Sequence, residues 1–172
     1  GNPLALVQLA GVAPASGTHP TGPPHLLTPL PPALLESFSD GLEDLPEGTT
    51  EAVLVAALDS ADSLPEVLSA TALLTRGRAA AAILDPAVER GLLSYDDKRV
   101  QFRHPLVRSA IVQRASAAQR RAAHRSLGKV ITPTSSRRPW HRASGSTGHN
   151  DGLAAELEAC GSDATRLGDG AT

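Results

Sequence analysis

The period of the apolar residues changes once, between Gly91 and Arg103, and this change constrains the fold more than any other feature. Leu92-Leu93-Ser94-Tyr95 and Arg99-Val100-Gln101-Phe102-Arg103 read as two short strands, with Asp96-Asp97-Lys98 as a polar turn between them, so a β-hairpin is predicted here. On both sides the apolar residues keep the three- and four-residue steps of helices. From about Pro32 to Leu45, Leu34, Leu35, Phe38, Leu42 and Leu45 share a face. Thr49-Thr50 opens a second helix carrying Val53, Leu54, Ala57 and Leu58, and Ser63 caps a third with Pro65 in its first turn. A fourth runs from about Arg78 to Arg90, with Asp85-Pro86 as a place where it can break and Gly91 as its C-terminal stop. Beyond the hairpin, Pro105 opens a helix through Leu106, Val107, Ala110 and Ile111, and Ser116 caps a strongly basic helix to about Val130.

The core available to this chain is equally restrictive. Aromatic residues make up 2% of it and Met is absent, so the 41% that is apolar consists mainly of Leu, Ala, Val and Ile. Ala and Leu head the helix-propensity order, whereas strands favour β-branched and aromatic residues. The expected fold is therefore mainly α: a helical winged-helix domain with one short β-hairpin, a flexible Pro/Gly-rich linker and a loosely ordered C-terminal end. Residues 1–10 read as the end of a preceding element and residues 11–31, crowded with Pro and Gly, as the linker. Residues 32–131 form the winged-helix-like domain, and residues 132–172 read as the poorly ordered start of a helical repeat region, with only Leu153 to Cys160 helical in pattern.

The chain is expected to be a soluble cytoplasmic protein, because no apolar run approaches the roughly 20 residues needed to cross a bilayer and no basic segment precedes the opening apolar run. A single cysteine, Cys160, forms no internal disulfide and has no metal-binding companion at useful spacing. The histidines, His19, His25, His104, His124, His141 and His149, show no paired spacing of a zinc site. A net charge of -2 gives no global drive towards nucleic acid or anionic membrane. The absence of Met further predicts that the chain is part of a longer protein.

Two segments carry a family resemblance. Gly1-Asn2-Pro3-Leu4-Ala5-Leu6 resembles the Gly-x-Pro motif that closes the nucleotide site of STAND-type signal-transduction ATPases, and Val100 to Val112, VQFRHPLVRSAIV, resembles their winged-helix signature. The chain is most similar to the large ATP-binding LuxR-type transcriptional regulators, in which such a phrase is followed by a basic helix like Gln119 to Leu127 and an Arg-x-Trp-His element like Arg138-Pro139-Trp140-His141. LPEGTTEAVLVAAL, Leu45 to Leu58, falls at the expected place between them.

The resemblance implies that Pro3 lies against the adenine and that His104 senses the nucleotide phosphates in the intact parent, which uses ATP or ADP with magnesium. An imidazole can donate a hydrogen bond to a phosphate oxygen, and its strength responds to protonation. No Gly-x-x-x-x-Gly-Lys-Ser/Thr loop occurs in the 172 residues, nor an apolar strand ending in paired acids, so the chain is expected to hold no cofactor itself and not to be an enzyme. The implied partners are the ATPase core and the downstream repeat and DNA-binding domains of the same protein, with DNA reached only indirectly and no membrane. Two other readings stand beside this regulatory one: a direct DNA-binding winged-helix module, and a nonfunctional remnant of such a regulator. Arg114, Arg120, Arg121, Arg125 and Lys129 could contact a phosphate backbone, but a solvated face opposite Ala117, Ala122, Ala123 and Leu127 is the expected reading, and Trp140 is expected to anchor the core.

Overall fold

A computed structural model describes residues 30, 31, 35, 41, 42, 44–148 and 152–158. The Gly-x-Pro segment with Pro3, most of the linker and of the helix expected from Pro32, and Cys160, His19, His25 and His149 lie outside the described residues.

The first complete helix, α1 (Glu47–Leu58), is the centre of the molecule. Every residue from Ala52 to Leu58 is buried, and so is Asp59. A helix that is apolar on all sides must be enclosed on all sides, and α1 touches α2 (Leu64–Thr75), α4 (Pro105–Arg114) and α5 (Ala117–Val130) as well as the 3-10 turn Ala81–Leu84 and the short α3 (Asp85–Glu89). It begins two residues before the expected Thr49. Thr50 does not cap it: its hydroxyl donates back to the Pro46 carbonyl at 3.2 Å, the behaviour of a threonine already inside a helix.

The other start signals act as expected. Ser63 accepts from the Glu66 N–H at 3.4 Å with Pro65 in the first turn of α2, and Pro105 opens α4. Ser116 makes a full capping box with Gln119. The segment expected to be one helix from about Arg78 divides into the 3-10 turn and α3, because Pro86 has no N–H to continue the ladder across the junction. Gly91, at φ 66°, then turns the chain into the hairpin in the left-handed conformation that glycine adopts without strain.

The hairpin is where the change of period puts it. β1 (Leu93–Tyr95) pairs antiparallel with β2 (Val100–Phe102), with Ser94 opposite Gln101. Asp96 shapes the turn, its carboxylate accepting from the Lys98 and Arg99 N–H groups at 2.7 and 2.8 Å. A further contact comes from the α1–α2 connection: Ser63 bridges Arg99, with the Leu64 N–H on the Lys98 carbonyl and the Val100 N–H on the Asp62 carbonyl, each at 2.9 Å.

Past Val130 the structure departs from the expectation of a loosely ordered segment. Residues 137–145 form α6 (Arg137–Gly145), which lies along α5 in the most extensive helix contact of the molecule, and residues 152–158 are helical as expected. The reason is steric. An added Cβ on Gly128 would stand 2.9 Å from the Arg142 Cγ, and one on Gly145 would stand 2.7 Å from the Arg125 Cγ. Each helix thus offers a glycine to the arginine stem of the other, and residues that read as helix-weakening in sequence are what let the two backbones approach.

Candidate functional site

His104, the candidate residue that is described, is exposed and stands at the N-cap of α4 immediately after β2. Its Nδ1 accepts a hydrogen bond from the Leu106 N–H at 3.1 Å. The neutral ring therefore carries its proton on Nε2, the form in which that nitrogen is a donor. The other candidate, Pro3, falls outside the described residues, so the pair that the resemblance brings to one nucleotide is represented by its histidine.

One turn beyond His104, Arg108 ties the start of α4 to the end of α1. Its guanidinium donates to the Asp59 carbonyl at 3.1 Å, pairs with Asp62, and lies 5.2 Å from the centre of the Phe102 ring. Its Nε is buried without a hydrogen-bond partner among the described residues. Asp59 itself is fully buried, and its carboxylate accepts from the Ala61 and Ser63 N–H groups and pairs with Arg137 of α6, which also reaches Glu66 at 2.8 Å. Burial pushes the Asp59 carboxyl above its ordinary range; the Ser63 N–H, the Arg137 guanidinium and the Ala61 N–H pull the other way. Removing one partner of such a pair costs about 3–5 kcal/mol, because the other charge stays buried. The α1–α2 connection is thereby a junction at which α4, the hairpin and α6 meet.

A second cluster lies in the α5–α6 seam, and the spacing of the histidines gave no sign of it. His124 and His141, 17 positions apart, place their Nδ1 atoms 3.0 Å apart with both rings buried. One ring must donate and the other accept, so the two hold opposite tautomers. Trp140, half-buried, stands edge-on to both, with ring centres 4.9 Å from His124 and 4.8 Å from His141, beside the hydrocarbon core and not within it. Burial lowers the pKa of His124 to about 4, with the Arg120 charge adding, and that of His141 to about 3, with His124 and Arg137 adding. Both rings are neutral at pH 7. Among the described residues no three His, Cys, Asp or Glu side chains are placed to hold a metal ion, and no helix is long and apolar enough to cross a membrane.

The basic residues of α5 do not share one environment. Arg120 donates to the Val112 carbonyl at 3.1 Å and to the Ala115 carbonyl, closing the end of α4. Arg125 reaches the Gly145 carbonyl at 3.2 Å, while Lys129 is exposed. Arg108, Arg137 and Asp59 were not singled out in the sequence, since nothing in their spacing marks residues that meet from three distant segments. No family model, curated protein or solved structure matches this chain.

Proposed function

We propose that this chain is a non-catalytic regulatory segment of a LuxR-type ATP-binding transcriptional regulator, a winged-helix relay that carries nucleotide state from a preceding ATPase core to later domains. The observation that carries the reading is the order of elements around His104. Helix α1, the extended Ser63 bridge, α2, the short α3, β1, the Asp96 turn and β2 follow one another in this order, which supports a winged-helix reading in which the Ser63 bridge stands in for a third strand. His104 then opens the next helix. A phosphate contact there would pull on the N-terminus of α4, and Arg108 one turn on would pass the displacement to Asp59 and Asp62, from which Arg137 leads to α6. Such a contact biases a two-state arrangement and breaks no bond.

The direct DNA-binding reading draws less support from the same order. The segment that would read a major groove, Ala81–Glu89, presents Asp85 and Glu89 and no basic residue, which opposes a phosphate backbone. The remnant reading has against it a continuous core reaching from α1 to α5.

The test is a protein extended through the upstream coding sequence to include the phosphate-loop domain that the proposal requires. A hydrogen bond to a charged group contributes about 1.5–3 kcal/mol, so His104→Ala should release ADP about ten-fold faster or more. His104→Asp retains an acceptor for the Leu106 N–H but repels phosphate, and it should do the same. Unchanged ADP release in both, or the lack of an in-frame phosphate-loop motif upstream, overturns the proposal.

A further inference from the structure

Residues 98–150 contain twelve of the sixteen Lys and Arg residues of the chain and none of its eighteen Asp and Glu residues. A net charge of -2 therefore hides two oppositely charged regions. Such asymmetry points to a polyanionic partner, and the fold determines where the cations gather.

Five of them gather over the α5–α6 crossing, whereas Arg108 and Arg137 are paired with acids at the end of α1. Arg125 and Lys129 from α5 and Arg138 and Arg142 from α6 line a shallow groove of about 480 Å³, with Leu153 also in its wall. Arg121 continues the α5 row one turn further back. Like charges four residues apart destabilise a helix by a few tenths of a kcal/mol per pair, yet Arg121, Arg125 and Lys129 follow one another at that spacing and so do Arg138 and Arg142. The glycine contacts described above set the two rows side by side. Hydrogen bonds to helix carbonyls aim two of the guanidiniums, Arg125 on Gly145 and Arg138 on Gly128 at 3.1 Å, and each guanidinium has five donors, so most remain beyond those contacts.

We infer that this groove binds the phosphate backbone of double-stranded nucleic acid without reading its sequence, a property of this segment itself that stands whether or not the nucleotide relay does. Four of the five cations at the groove are arginines, whose planar fork matches phosphate oxygens. The α5 row from Arg121 to Lys129 is about 12 Å long, a length over which duplex DNA presents about seven charges. Among the described residues no aromatic ring lines the groove, and Trp140 is committed to the histidine pair, so these residues offer base stacking no platform. A lipid surface or an acidic protein would call for apolar anchors beside the charges. Among the described residues the exposed large hydrophobics are Leu73 and Val88, on α2 and α3.

The experiment is fluorescence anisotropy with two labelled duplexes of ~20 bp and unrelated sequence, titrated with the whole chain at several salt concentrations. Both duplexes should bind alike, at about micromolar affinity in low salt, and four contacts should weaken binding about a hundred-fold between ~50 and ~200 mM salt. Lys129→Gln with Arg142→Gln should reduce that salt effect to about ten-fold. Arg76→Gln with Arg78→Gln, the same loss of charge away from the groove, should change nothing. Glu156 accepts from Arg142 at 2.6 and 2.9 Å, so Glu156→Gln removes a competing anion and should tighten binding. This last variant decides the matter should the double one fail to fold. No duplex binding, no tightening by Glu156→Gln, or preferential binding to polyglutamate or to phosphatidylcholine vesicles with ~30% phosphatidylserine overturns the proposal.

Discussion

Helix α1 and the α5–α6 seam are both buried, but they are buried by different physics. Around α1 the contacts are hydrocarbon: Val53, Val55, Val67 and Leu84 are within 1% of full burial, and from Ala52 to Leu58 the helix has no polar side chain that could face water. The seam instead holds two glycines, two histidines, the edge of a tryptophan and arginine stems. Hydrocarbon burial is indifferent to pH, and it tolerates an exchange of similar volumes. The seam depends on the charge state of two rings and on the absence of two methyl groups. One molecule thus has a robust centre and a conditional flank, and the conditional flank is the one that carries the cations.

Acidification separates the two regions most. His124 and His141 are lowered from the ordinary 6.5 to about 4 and about 3. Their contribution is complete above pH 6.5 and is lost as the pH falls through the folded values, because the unfolded chain takes up the protons first. Each ring loses up to about 1.4 kcal/mol per pH unit below 6.5, so descent from pH 7 to 4 should cost several kcal/mol, comparable to the whole stability of a small domain. The groups acting on the pair, Arg120 and Arg137, are cationic and deepen the loss, whereas Asp59, with its raised carboxyl pKa, contributes in the opposite direction. Urea unfolding followed by Trp140 fluorescence should show the fall, and the double variant His124→Leu, His141→Phe should flatten it. An equal fall in that variant would mean that the acid sensitivity lies elsewhere.

Steric demand comes next. A Cβ on Gly145 would meet the Arg125 backbone N at 2.8 Å as well as its side chain, so no rotamer change relieves it. Gly145→Val should cost about 3 kcal/mol, the upper range for overpacking. Gly148, three residues on, has nothing within 4 Å of such a carbon, and its substitution by Ala should be neutral when thermal melts of the two variants are compared. Equal effects at the two positions would remove the close crossing on which the groove depends.

The contrast also explains what could be read in the sequence. Local signals were legible: the hairpin from the change of period, Ser63 and Ser116 from capping chemistry, and Gly91 from its place after the last periodic residue. Each depends on neighbours within a few positions. His124 with His141, Asp59 with Arg137 and Arg108 with Asp62 are meetings of distant segments, and no spacing rule reports a contact made through the crossing of two helices. The stretch from Thr132 to Gly148 misled for the same reason, because Gly145 weakens a helix taken alone and is required by a helix in contact. His104 was legible as a residue before a helix, and its N-cap bond to Leu106 accounts for that placement.

The smallest expected effect concerns how the two regions hold their helix ends. In α2, Ser63 accepts from Glu66 at 3.4 Å without a reciprocal bond, and its helix is otherwise held by contact with α1 and α5. In α5, Ser116 accepts from Gln119 at 3.2 Å, and the Gln119 side chain accepts from the Ser116 N–H at 2.8 Å. A helix bearing Arg121, Arg125 and Lys129 along one row has repulsion to offset, and a two-way cap supplies that locally. Ser116→Ala should therefore cost about 1 kcal/mol, more at low salt than at high salt, since screening relieves the repulsion the cap opposes. If urea midpoints at the two ionic strengths shift equally, the cap is a local feature of chain geometry, and the charge row has no part in why it is there.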